Sequence, residues 1–305
     1  MEWFRLTSER YHKLFHSYTA TFDCSETIRN HAKESLVPRD GFLTNFLGTI
    51  VNPSYFDQLL LKTEGTIEPI PIPGNWHACM SEWGACLRAL DLAQSPFTIV
   101  ELGCGWGCWL NNMAIAARNK DFDYELIGVE GDPHHIDFAK ETCQVNGILS
   151  KNLKLHHGIA AATNGIALFP KQTVNGKSWG LEPIFFASQL QQEDAVHSGK
   201  YTALPMLSLQ DVIGTHKIID LFHLDIQGGE RSLIENSLTT LSEKVAYMFV
   251  ATHSRRNEKR IKEVLRNQPW ELEIERPAIY RMQITGPRLK IDGVQGWRNT
   301  QLLPL

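Results

Sequence analysis

The chain has 305 residues, 43% hydrophobic and 21% charged, proportions that exclude a disordered or fibrous protein and leave room for a sizeable core, since a body of this length buries about 75% of its extended surface. Thirty Lys and Arg against thirty-four Asp and Glu give a formal net charge of -4, which offers no general attraction to a polyanion, so nucleic acid is not an expected partner. Six cysteines without the density of a stapled domain or a repeated ligand pair fit reduced thiols in the cytoplasm.

The opening MEWFRLTSERYHKLFHSYTA is polar and aromatic with no long apolar run, so it reads as neither a secretory signal nor a membrane span, and no membrane partner is expected. Residues 1 to 35 are periodic enough for a helix, with Trp3, Leu6, Tyr11, Leu14 and Phe15 facing inward, until Pro38 and Gly41 interrupt it. Short helical pieces are expected from Phe42 to Leu47 and from Pro53 to Leu61. The segment GTIEPIPIPGNW is too rich in Pro and Gly for a regular element, and Ala78 to Leu92 then reads as a helix. Residues 1 to 94 are therefore expected to form a helical cap or appendage, which could also join copies of the chain into a homo-oligomer; its aromatic residues, Trp76 included, read as packing.

From Pro96 the pattern becomes strand, glycine turn, helix, strand. FTIVEL, YELIGVE and LKLHHGIA alternate with helical stretches, the unit of a mainly parallel sheet with helices on its faces. The rhythm breaks between Gly158 and Gly199, where IALFP reads as an added strand and TVNGKSWGLEP as a loop. It resumes with KIIDLFHLDIQ, a helix from Glu230 to Leu241, and VAYMFVAT. ELEIE and YRMQIT suit an antiparallel pair at the end of the sheet. Residues 95 to 305 are thus expected to form one α/β domain of Rossmann-like type.

In VELGCGWGCWL, Gly103, Gly105 and Gly107 follow a strand and precede a helix, so the backbone can turn tightly and approach a cofactor. A dinucleotide site prefers its third glycine where this chain has Cys108. Glu101, just ahead of the turn, repels a diphosphate but accepts a hydrogen bond from an amino group, which S-adenosylmethionine carries together with a positive sulfonium. Glu130 ends the second strand, where a carboxylate can accept both ribose hydroxyls. Asp132, followed by Pro133, reads as a helix cap. The Cys104 and Cys108 pair has no partner cluster, and the adjacent His156 and His157 point to opposite faces of a strand, so no metal ligand set is assigned.

These features resemble the FkbM-type S-adenosylmethionine-dependent methyltransferases over approximately residues 95 to 285, above all at IIDLFHLDIQGGERSLIENS. Asp220, Asp225, Gly228 and Glu230 match that family's run, whereas His223 stands in place of a frequent lysine and Gln227 in place of the usual first glutamate. The resemblance implies a mainly parallel seven-stranded sheet with an antiparallel last strand, and O-methylation of a hydroxyl on a small molecule or glycan. Alternation along LFHLDIQ puts His223, Asp225 and Gln227 on one face of the strand, and ATHS brings His253 to the same end of the sheet. His253 is the expected base, ahead of His223, with Asp225 orienting it or the substrate. A Mg²⁺ ion on Asp225 and neighbouring oxygens is an alternative way to orient the acceptor. Trp179 reads as a loop residue that can close over a ligand, and Arg255, Arg256, Lys259 and Arg260 as a solvated helix face. The competing functions are a non-catalytic scaffold with a methyltransferase-like domain and a nicotinamide-dependent oxidoreductase.

Overall fold

The computed structural model describes residues 16–305 apart from 57, 58, 61, 175 and 217; the inward positions expected at Trp3, Leu6, Tyr11, Leu14 and Phe15 lie outside the described residues. Eight strands form the main sheet: β1 (Thr19–Ala20), β2 (Phe97–Leu102), β3 (Tyr124–Glu130), β4 (Leu153–His157), β5 (Ile219–Leu224), β6 (Val245–Thr252), β7 (Trp270–Arg276) and β8 (Gly293–Asn299), in the order β1-β7-β8-β6-β5-β2-β3-β4. The run from β4 through β3, β2 and β5 to β6 is parallel. β8 then pairs antiparallel with both β6 and β7, and β1 antiparallel with β7. Every residue of β2 and β6 is buried, as the near-continuous apolar runs FTIVEL and VAYMFVAT require of strands covered on both faces.

The covering helices are α1 (Cys24–His31), α2 (Met80–Leu92), α3 (Cys108–Asn119), α4 (Pro133–Val145), α5 (Gln189–Ser198), α6 (Leu209–Ile213), α7 (Glu230–Asn236), α8 (Leu238–Lys244) and α9 (Arg255–Leu265). On one face Trp83, Leu87 and Leu90 of α2 and Leu110 and Met113 of α3 pack with Ile99, Leu221, Tyr247 and Phe249. On the other, Val212, Leu233, Ile234 and Ile261 meet Val100, Leu102, Phe222, Leu224 and Met248. Burial of each such side chain contributes roughly 1.5–3 kcal/mol. Among the described residues no helix is long and apolar enough to cross a membrane, and all six cysteines are free.

α4 begins as its sequence dictates, with the Asp132 side chain accepting the His134 and His135 N–H groups and Pro133 at the first helical position. Two expectations are corrected. Residues 42 to 47 hold the strand Leu43–Thr44, paired with Ile50–Val51 and Thr66–Ile67, and not a helix; the Asn45 side chain accepts the Leu47 and Thr49 N–H groups and closes a turn at Gly48, φ +90°, chemistry that outcompetes a helix. YRMQIT does not join the main sheet: Ile279–Gln283 pairs with Gly286–Ile291 as a separate two-stranded hairpin. ELEIE lies in β7 of the main sheet, but its antiparallel neighbour there, in place of YRMQIT, is β8, GVQGWRN. Its buried polar groups are paired: Asn299 donates to the carbonyls of Ser242 and Val245, and Arg298 to Glu273.

Candidate active site

The strand order reverses at β2, which has β3 on one side and β5 on the other, and in open parallel sheets ligands bind at the carboxyl ends of strands at such a reversal. A cavity of about 510 Å³ opens there, within the range of small-molecule sites.

Gly103, Gly105 and Gly107 all have positive φ, 77°, 50° and 73°. At Gly103 a Cβ would overlap the carbonyl oxygen of Asp225, so the turn after β2 and the end of β5 pass at a distance that only glycine permits. Gly103 and Gly105 line the cavity; Gly107 caps α3 and is not part of the wall. Glu101 is 2% exposed, and its two oxygens accept the backbone N–H groups of Trp109 (3.2 Å) and Leu110 (2.9 Å), anchoring the first turn of α3. Burial lifts its pKa to about 8, although these hydrogen bonds pull the other way. Glu130 spans two segments, accepting the Gly105 N–H and the Asp132 N–H, each at 2.8 Å. Both carboxylates line the cavity, as do Gly131, Ile159, Phe169, Leu181 and Pro183, of which Ile159, Phe169 and Leu181 pack in one apolar cluster.

Beside the glycine turn, past the end of β5, stands a cluster of charges. His253 Nε2 lies 3.3 Å from Asp225 Oδ1 and His253 Nδ1 lies 2.9 Å from Glu230 Oε1. Burial disfavours the imidazolium, but the two carboxylates outweigh it and raise the His253 pKa to about 11. Burial likewise acts to raise the Asp225 pKa, and His253 more than reverses this, leaving it below the usual carboxylate value. The Asp225 side chain is 37% exposed, whereas that of Glu230 has no exposure; Asp225 lines the cavity and Glu230 sits behind the imidazole, where it also accepts the Ile226 and Gly228 N–H groups. Gln227 donates to Asp225 at 2.9 Å. His223, 4% exposed, lines the floor between the rings of Trp109 and Phe249. Burial lowers its pKa to about 4.

Asp225, Glu230 and His253 bring ligand-type atoms within 4.8 Å of one another. The geometry suits proton handling better than chelation: each imidazole nitrogen faces a different carboxylate, whereas an ion would take one nitrogen and need both carboxylates on that side. Asp220, matched in sequence to the same motif, turns away and accepts the Thr98 N–H at 2.7 Å, a structural role. His157 reaches the Gly131 carbonyl at 3.0 Å. Arg255 and Arg260 are engaged with the Ala278 carbonyl and with Glu235.

The first third of the chain supplies wall residues that no motif in the sequence singled out as functional: Phe56, Trp76, His77 and Glu82. The Phe56 ring stacks on Trp179 at 4.6 Å and tilts against Trp76 at 4.8 Å, while Trp179 stacks on His135 at 3.9 Å. Trp179 also stands against Gly105. Among the described residues no Lys or Arg side chain lines the cavity.

No family model matches the chain. It is 40% identical over 259 residues, 85% of this chain and 92% of the other, to a protein of Jannaschia sp. (strain CCS1) described as "Putative methyltransferase". Among solved structures it is similar to the FkbM methyltransferase of Methylobacillus flagellatus KT, with a TM-score of 0.42 and 10% identity over 72% of this chain; the match spans only 54%, about half, of that longer protein. The METTL16 MTase domain superposes with a TM-score of 0.42 at 14% identity over 90% of this chain and 88% of that one. Likenesses of this size decide nothing about activity, whereas identity of 40% over 85% of the chain does establish kinship: this protein belongs to the methyltransferases.

Proposed function

We propose that the protein uses S-adenosylmethionine to methylate a hydroxyl oxygen of a small-molecule or sugar-like acceptor, as an FkbM-type enzyme. The observation that carries this reading is the Asp225 carboxylate, open to the cavity beside the glycine turn and backed by His253 and Glu230. A non-catalytic scaffold has no use for such a relay. The wall suits the cofactor. Gly103 and Gly105 let backbone come close where side chains would fill the space, Glu101 offers a carboxyl to an amino group, Glu130 offers acceptor oxygens to ribose hydroxyls, and the apolar cluster of Ile159, Phe169 and Leu181 suits adenine. A dinucleotide would bring a diphosphate against Glu101 and Glu130 with no Lys or Arg among the described residues of the wall to meet it. The same lack of cations favours an uncharged acceptor over a phosphorylated one. Residues 1 to 94 act in this reading as the cap of the cleft, through Phe56, Trp76, His77 and Glu82, and the free cysteines accord with a cytoplasmic location.

When bound, S-adenosylmethionine supplies a methyl carbon made electrophilic by its sulfonium. Asp225 takes the hydroxyl proton as the acceptor oxygen attacks, so no free alkoxide forms. We assign this role to Asp225 because its carboxylate lines the cavity, whereas both His253 nitrogens face carboxylates that favour its protonated form. His253, expected from the sequence as the base, instead orients Asp225 from Nε2 in this reading, while Glu230 faces its Nδ1. Such placement of reacting groups can supply roughly 7–11 kcal/mol in favourable model systems.

Labelled-methyl transfer tests the proposal: methyl-labelled S-adenosylmethionine is incubated with the protein and a panel of simple glycosides and small alcohols, with RNA in parallel. Label should enter an alkali-stable ether and vanish in Asp225→Asn. Label on nitrogen or on RNA, or tighter calorimetric binding of NAD than of S-adenosylhomocysteine, would overturn it.

A further inference from the structure

His223 is a buried polar residue in the cavity wall that the proton relay does not use. Neither of its ring nitrogens has a hydrogen-bond partner, although the residue is only 4% exposed. Buried polar groups are rarely left unpaired, because the lost hydration is not recovered. The ring cannot turn away to find a partner, since Trp109 lies against it at 5.5 Å between centroids and Phe249 stacks on it at 4.9 Å with planes 16° apart. The partner that completes it therefore comes from the cavity.

The position of His223 identifies that partner. In the parallel register of β2 and β5, His223 lies opposite Glu101, and paired positions of adjacent strands present their side chains to the same face. Trp109 touches both: its N–H donates to Glu101 at 3.2 Å while its ring packs on His223. Asp225, the group that meets the acceptor, is two residues further along and is served by His253 and Gln227. His223 thus stands on the Glu101 side of the floor. Glu101 already accepts two backbone N–H groups, and an ammonium has three N–H donors to place. Burial keeps the His223 imidazole neutral, with a pKa of about 4, so one nitrogen carries a lone pair and the ring does not repel a cation.

We propose that His223 and Glu101 together hold the α-amino group of the cofactor's methionine moiety, with an imidazole nitrogen of His223 accepting one of its N–H bonds. This rests on the cofactor reading above and makes His223 a cofactor-positioning residue.

Calorimetry with S-adenosylhomocysteine and with its analogue lacking the α-amino group tests the proposal on the full-length protein. The wild type should prefer the amino-bearing ligand. His223→Leu should narrow that preference about 10-fold or more, as expected for loss of a hydrogen bond to a charged group, while affinity for the analogue changes less than about two-fold. His223→Gln, whose amide oxygen can accept the same bond, should restore part of the preference, and it decides the matter if the leucine variant does not fold. A preference as wide in the variants as in the wild type would overturn the role of His223 and leave the cofactor reading intact. A wild-type protein that binds neither ligand would overturn the cofactor reading, and this inference with it.

Discussion

Two neighbouring regions of the cavity wall are built by different means. At the glycine turn, Glu101 and Glu130 spend their oxygens on backbone N–H groups of their own neighbourhood, so charge there is tied to the course of the main chain. Past the end of β5, Asp225 is met by side chains alone, His253 and Gln227, and stays open to the cavity, while Glu230 shares one oxygen between that imidazole and the Ile226 and Gly228 N–H groups. A site that must bind the same cofactor in every turnover gains from the first arrangement, and a site that must move a proton needs the second.

The comparison can be broken most sharply at Asp225. Asp225→Asn should lower methyl transfer by roughly 10²- to 10⁴-fold, the usual contribution of a positioned acid or base, while calorimetric affinity for S-adenosylhomocysteine changes less than three-fold. A comparable loss of both would mean that the two regions are not separate. Glu230→Ala should next destabilise the fold by about 3–5 kcal/mol in denaturant titration, because it strips a buried imidazolium of its partner. Glu130→Ala should weaken S-adenosylhomocysteine by about 1.5–3 kcal/mol, the value of hydrogen bonds to a charged group, with stability less affected than by Glu230→Ala.

The smallest effect sharpens the contrast through pH. Glu101, with Asp225, Glu130, His223 and the thiols of Cys86, Cys104 and Cys108 around it, has its pKa raised to about 8. Below that value it holds a proton that an ammonium-bearing ligand must expel. Affinity for S-adenosylhomocysteine should therefore rise with pH, by at most about ten-fold per unit, and level near pH 8, with proton release visible in buffers of different ionisation enthalpy. The sign for the free protein is the reverse: the folded state binds this proton more tightly than an unfolded chain, whose Glu titrates at about 4.3, so stability contributed at Glu101 falls as pH rises through 4.3 to 8. Affinity independent of pH between 6 and 8 would show that Glu101 does not meet the amino group.

Much of the wall around the glycine turn was legible in the residue order because its parts are close in sequence. A strand, three glycines and a helix lie within VELGCGWGCWL, and Glu130 follows one helix later. The meeting of Asp225 with His253 was also legible, since both end consecutive parallel strands. The added duty of Glu101 toward α3 was not, because a carboxylate's partners depend on how the turn after it closes. β8 was missed for a similar reason: Gln295, Arg298 and Asn299 make GVQGWRN look like a surface segment, and only the carbonyls of Ser242 and Val245 and the carboxylate of Glu273 make their burial tolerable.

By itself the residue order determined the parallel α/β frame, the tight glycine turn after β2 and which strand ends share one edge of the sheet, because periodicity and glycine conformation act over a few residues. Only the tertiary structure decided that Asp225 faces the cavity while His253 is clamped behind it, that His223 is buried without a partner, and that Phe56, Trp76, His77 and Glu82 complete the wall. Burial and distance set those properties, and both depend on segments far apart in the chain.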